Sequence, residues 1–176
     1  NYEEGILTAY RDLPEADVII FNIGNRPVHW GDMPKKLGYL DLMHVASWQI
    51  SFKRESIVNN NVYFDEHMGA GSGNGAEEEF RFLTDCRKNG LAIYYVPFVI
   101  ADVAQTKSTW FKGYNEEFFI NRGNTTRYIM GYVPAVLYAA YYSIRKRHQF
   151  DSDISWFKAF RLIMKGIHEN RLGKKK

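Results

Sequence analysis

The spacing of apolar residues changes period several times along the chain, and each change marks an element. In residues 2–13, Ile6, Leu7 and Tyr10 fall at i, i+1 and i+4, which predicts a short helix ending before Pro14. The run from Ala16 to Gly24 is rich in β-branched residues and closes on glycine, so it reads as a buried strand. A helix set before a buried strand is the rhythm of an open α/β sheet. Residues 25–36 carry two prolines among mixed charges and read as a loop, in which His29 and Trp30 are either contact residues or loop packing. Residues 45–52 alternate apolar and polar, predicting a second strand with Arg54 at its end. One helical turn follows over 55–59, and Asn59-Asn60-Asn61 breaks the pattern.

A loop with glycine at 69, 71, 73 and 75 feeds into Glu77, Glu78 and Glu79. These acids open a helical pattern through Phe80, Leu83 and Cys86 that stops at Asn89-Gly90, a C-cap signal. Residues 91–100 read as a strand, with Pro97 implying an edge position or the strand's end. Residues 102–113 are irregular, and 114–122 predict another helix. Residues 128–144 are apolar and tyrosine-rich, contain Pro134, and end in Arg145-Lys146-Arg147-His148. Residues 154–168 place Trp156, Phe160, Ile163 and Ile167 on one stripe, with Lys158, Arg161 and Lys165 between them. This amphipathic basic helix either packs on a core or lies on anionic lipid. Residues 128–144 do not suit a membrane span, which needs ~20 predominantly apolar residues. The expected fold is α/β, a mixed open sheet with flanking helices followed by C-terminal amphipathic helices.

With 176 residues the chain has the size of one domain and can bury a real core. The single cysteine, Cys86, excludes an internal disulfide, and its place on the helical pattern favours a core role. Charge is uneven. Residues 143–176 hold ten Lys or Arg against three acids, leaving 13 basic against 17 acidic residues before them. A basic end points to nucleic acid, a membrane surface or solubility. No zinc-finger spacing, RNP-like aromatic motif or basic recognition helix is present, so nucleic acid is the least favoured partner. The chain begins with Asn, without a visible signal peptide, and reads as part of a longer protein.

Acids in a first helical turn meet unpaired N–H groups and the positive end of the helix dipole, so they ionise readily. A carboxylate there is either an ordinary acidic cap or a general base within reach of a substrate hydroxyl. Gly71, Gly73 and Ala76 match G-x-G-x-x-A spacing, but the preceding segment is short and polar, and three negative charges would repel a phosphate. No Gly-Lys-Ser/Thr follows, which excludes a P-loop. His44 has no acid or second histidine at metal-ligand spacing and reads as structural.

Taken together, the strand, the basic residue, Phe64-Asp65-Glu66, the glycine loop, the acidic pair, the Asn89-Gly90 turn and the strand with Pro97 resemble the C-terminal half of a family 2 glycosyltransferase of GT-A fold. The likeness is closest to bacterial polysaccharide-building members. It covers residues 2–123 and is most specific over 64–90 taken with 108–114. It divides the chain into an acceptor-side half, 1–124, and a helical, basic extension, 125–176.

The resemblance implies inverting transfer of a hexosyl group from a nucleotide-diphosphate sugar to a saccharide or lipid-linked acceptor. Its acidic pair falls on Glu78-Glu79, with Glu79 as base; a shift of one selects Glu77-Glu78. Arg54, Gly71, Ser72, Gly73, Ser108 and Trp110 are the expected substrate-binding residues. A divalent cation, Mg or Mn, is expected in the full-length protein, with its D-x-D ligands upstream of Tyr2 and no metal site assigned here. Three departures stand out: the pair is Glu-Glu rather than Glu-Asp, no histidine follows the strand, and no Q-x-x-R-W occurs. The last favours transfer of single sugars. The implied location is cytoplasmic, with peripheral contact at the inner face of the cell membrane. The competing expectation is a non-catalytic α/β module that binds carbohydrate or a membrane surface.

Overall fold

The computed structural model describes residues 1–25, 30–69, 72, 77–104, 111 and 113–174. The chain divides into two compact units, one of Asn1–Asp65 with Glu78–Thr106, the other of Glu66–Glu77 with Lys107–Lys176. The expected boundary at 124 falls inside a continuous helix, Glu116–Met130, and the two units divide at other positions.

The first unit is α/β. Its sheet has the order β2-β4-β1-β3, with β1 Val18–Ile23, β2 Lys35–Lys36, β3 Ile50–Phe52 and β4 Ile93–Ala101. β1 runs parallel to β4 and antiparallel to β3, so the sheet is mixed and open. Every residue of β1 is buried, as expected for a strand covered on both faces. Helix α1, Tyr2–Asp12, covers one face: Ala9, with Ile6 and Tyr10, packs against Ile19 and Phe21 of β1 and Tyr94 and Val96 of β4. Asn1 caps it by accepting from the N–H of Glu3 at 3.2 Å. Helix α2, Arg54–Asn59, follows β3, and α3, Glu78–Lys88, packs against β4.

Pro97 lies inside β4 without disrupting it. Phe21 pairs with Val96 and Asn22 with Val99, so Pro97 and Phe98 form a bulge where no ladder hydrogen bond is needed. On the other side β2 reaches only Tyr94 and Tyr95. The predicted strand over 45–52 is mostly not one. Residues Ser47–Gln49 form a 3₁₀ turn, and only Ile50–Phe52 pair. The reason is Gln49, whose side chain turns inward and donates from Nε2 to the Phe21 carbonyl at 3.0 Å, beside the bulge.

Cys86 is buried in α3, and burial pushes its thiol up to about 12 from 9.0. The thiolate is the reactive form. Labelling by a disulfide reagent at pH 8 is therefore expected to run at least ~10²-fold slower in the folded protein than in urea. Because the folded pKa is raised, the stability this group contributes is complete below the unfolded thiol's pKa and is lost as pH rises towards 12. Unfolding midpoints should accordingly fall above pH 9.

The second unit is helical: α4 is Glu116–Met130, α5 Tyr132–Arg145 and α6 Trp156–Glu169. The predicted helix over 114–122 extends to Met130, and the apolar run of 128–144 is cut at Gly131, where φ is +86°. Pro134 then falls in the first turn of α5, where a missing N–H costs nothing. The core gathers Phe119 from α4, Ala135, Ala139 and Tyr142 from α5, and Ala159, Ile163 and Ile167 from α6. The stripe of α6 thus faces this core: Ile163 and Ile167 are buried, Phe160 packs beside them, and only Trp156 stays exposed. Helices α4 and α6 meet at two glycines. A Cβ on Gly123 would collide with the carbonyl oxygen of Ile163, and one on Gly166 with that of Ile120.

Candidate functional site

In the first unit, α3 forms because Phe80, Phe82, Leu83, Thr84 and Cys86 share its buried side, while Arg81 and Asp85 pair across one turn at 2.6 Å. That burial fixes the direction in which its first turn points. Phe64 stacks on Phe82 with ring centroids 4.3 Å apart and holds the segment before the glycine loop against the helix. Glu78 and Glu79 occupy the first turn, both half-buried. Glu79 accepts the backbone N–H of Ser47 at Oε1, 3.2 Å away, and Oε2 has no partner among the described residues. One oxygen is thus oriented by the backbone and the other is available. Arg54 opens α2 with an exposed side chain, and no ion pair among the described residues joins it to Glu79.

Trp30 packs edge-on to Tyr95, with centroids 5.1 Å apart; His29 lies outside the described residues. Tyr95 in turn accepts from Asn22 Nδ2 at 2.7 Å. Asn22 stands one residue from the end of β1, but Tyr95 is near the start of β4, so this buried pair lies within the sheet and not at the carboxyl ends of the parallel strands, where open α/β sheets hold ligands. Nothing in the sequence pattern singled it out, since a lone Asn in an apolar run also marks a strand end.

Glu77 belongs to the second unit, and its environment is different. Its backbone adopts φ +87°, a strained value for a residue with a side chain. Its Oε1 lies 3.0 Å from Arg122 Nη1, and Oε2 accepts the Thr125 hydroxyl at 2.9 Å. Arg122 also donates to Tyr138 Oη at 2.7 Å and lies over the rings of Phe118 and Tyr142, 5.0 and 4.5 Å from their centroids. Burial alone would lower the Arg122 pKa, but Glu77, Tyr138 and Tyr142 more than offset this, and the guanidinium is held firmly charged. Burial pushes the Tyr138 hydroxyl up, against the opposing pull of Arg122. Both oxygens of Glu77 are therefore engaged, one by Arg122 and the other by Thr125. Of Glu77 and Glu79, it is Glu79 that keeps an oxygen without a partner among the described residues.

Of the other expected substrate contacts, Gly71, Gly73, Ser108 and Trp110 lie outside the described residues. Ser72 donates its hydroxyl to the Gly69 carbonyl at 2.9 Å, closing a turn. Among the described residues, no group of three His, Cys, Asp or Glu side chains is placed to hold a metal ion. No protein-family model matches the chain, and a search of curated proteins found no match either.

Proposed function

We propose that this chain is the acceptor-side part of an inverting glycosyltransferase of GT-A type, with Glu79 as general base. The observation that carries the reading is the state of Glu79: a half-buried carboxylate at a helix N-terminus, oriented at Oε1 by the Ser47 N–H, with Oε2 free among the described residues. The mixed open sheet supports the same reading, since β1 and β4 direct their carboxyl ends to one edge. In the proposed step, Oε2 takes the proton of an acceptor hydroxyl as that oxygen attacks the anomeric carbon, and the nucleoside diphosphate departs with the bonding electrons. A divalent cation held outside the described residues, which carry no ligand set for it, would supply charge neutralisation to the leaving diphosphate. The Ser47 N–H limits the rotation of the Glu79 side chain before the step.

The test uses the full-length protein with a panel of nucleotide-diphosphate sugars and saccharide or lipid-linked acceptors, reading nucleoside diphosphate release. Glu79→Gln keeps the size and the hydrogen bond to Ser47 but cannot take a proton. It should lower kcat by ~10²-fold or more with donor affinity unchanged. Unchanged kcat in that variant would remove Glu79 from the chemistry, and loss with Glu78→Gln instead would move the base one residue. Absence of release with every donor, beside saccharide binding, would favour a non-catalytic carbohydrate-binding module.

A further inference from the structure

We infer that the outward face of α5 is a docking surface for an anionic lipid bilayer, on which the helical unit lies without inserting. The sequence from Tyr132 to Ile144 contains no charged residue. One side of the helix accounts for part of that: Ala135, Ala139, Tyr142 and Ser143 are buried in the helical core. The opposite side should then be polar, as on an ordinary surface helix. It carries instead Val133, Leu137, Tyr141 and Ile144, spaced i, i+4, i+8 and i+11, with exposures of 66, 67, 53 and 55%. Scattered exposed apolar residues need no explanation, but a continuous stripe along a whole helix does.

The charges around the stripe point to what covers it. At its C-terminal end α5 runs into Arg145, Lys146 and Arg147. Arg145 and Lys146 have no ion-pair partner among the described residues, whereas Lys158 pairs with Glu116 at 2.6 Å and Arg171 with Glu169 at 2.8 Å. Arg147 is only loosely matched by Asp151, at 4.0 Å. Across the connection, α6 opens with Trp156 and Phe157, 45 and 56% exposed. Aliphatic side chains along the helix, Tyr and Trp at its margins and unpaired cations at one end match the acyl, interfacial and headgroup levels of an anionic bilayer in turn. A protein partner would need acids placed against Arg145 and Lys146, which a phosphate-bearing surface supplies at any orientation. At 14 residues α5 is about 21 Å long, short of the ~30 Å hydrocarbon core, and no helix among the described residues is long and apolar enough to cross a membrane. The contact is therefore peripheral.

This differs from the lipid contact expected of the α6 stripe, because Ile163 and Ile167 are committed to the core. It is also independent of the proposed transfer chemistry. Sedimentation of the whole chain with vesicles of phosphatidylcholine alone, or mixed with phosphatidylglycerol, tests it at low and high salt. The wild type should pellet with the anionic vesicles at low salt. High salt should release it, since screening confines the attraction of exposed charges to about 8 Å at physiological ionic strength. Leu137→Glu/Ile144→Glu and Arg145→Glu/Lys146→Glu should each weaken binding at least ~10-fold, whereas Leu7→Glu, an exposed position on α1, should not. Circular dichroism shows whether each variant is folded, and the two α5 variants disrupt different features of the same surface. Equal pelleting by wild type and Leu137→Glu/Ile144→Glu, or no pelleting with any vesicle, would overturn the inference. So would a dimer that the same substitutions dissociate, because a second copy would then own the face.

Discussion

Gly166→Ala is expected to destabilise the helical unit by about 3 kcal/mol, the upper end for added core volume. In an exposed helix the same change would help, since alanine is favoured over glycine by about 1 kcal/mol in a helix interior. Position 166 reverses the sign because a Cβ there meets the Ile120 carbonyl oxygen, a backbone atom that no rotamer change can move. The helices would have to separate, and Phe119, Ala159, Ile163 and Ile167 would lose contact with one another. Gly123→Ala attacks the same crossing from the other side, at the Ile163 carbonyl oxygen, and should cost a similar amount. The two effects should not add: once one methyl has parted α4 and α6, the second finds space already made. Hydrogen exchange at amides of α4 and α6 reads the loss locally, which suits a chain with two units better than a single global midpoint. A change below ~0.5 kcal/mol in either variant would mean that the crossing tolerates a Cβ.

Why sequence reading reached some elements and not others follows from how far each determinant acts. α1, β1, α3 and α6 each carry a local period and a local stop, such as Pro14 after α1 and Gly90 after α3, so a window of a dozen residues suffices. Gly90 has φ +81° in the structure, the conformation its place after the helix implies. The alternation predicts too long a β3 because Gln49 reads as its polar half, whereas its amide is spent on the Phe21 carbonyl 28 residues earlier. The break at Gly131 was hidden inside an apolar run whose two halves belong to different helices. The acidic trio shows the same division. Its position at a helix start was legible, but three adjacent glutamates look alike until Arg122 and Thr125 claim the first and Ser47 orients the third. Gly123 and Gly166 are silent in sequence for a related reason, since each is explained only by the backbone opposite it.

Arg122→Met should likewise destabilise the helical unit by about 3 kcal/mol. Removing one partner of a buried ion pair typically costs ~3–5 kcal/mol, and the lower figure applies because each side chain here retains about a fifth of its exposure. Methionine preserves much of the packing against Phe118 and Tyr142, so the loss reports the charge more than the volume. It leaves the Glu77 carboxylate with only the Thr125 hydroxyl and deprives the Tyr138 hydroxyl of its donor. Glu77→Gln should cost less, because an amide still accepts from Thr125 and Arg122 and the aromatic rings still face the guanidinium. The decisive variant is the double one, Glu77→Leu/Arg122→Met. If the pair is held by mutual compensation, removing both charges should recover part of the loss caused by Arg122→Met alone. Strict additivity would show instead that each side chain is stabilised by its other neighbours, Arg122 by the aromatic rings and Glu77 by Thr125, and that the ion pair itself adds little.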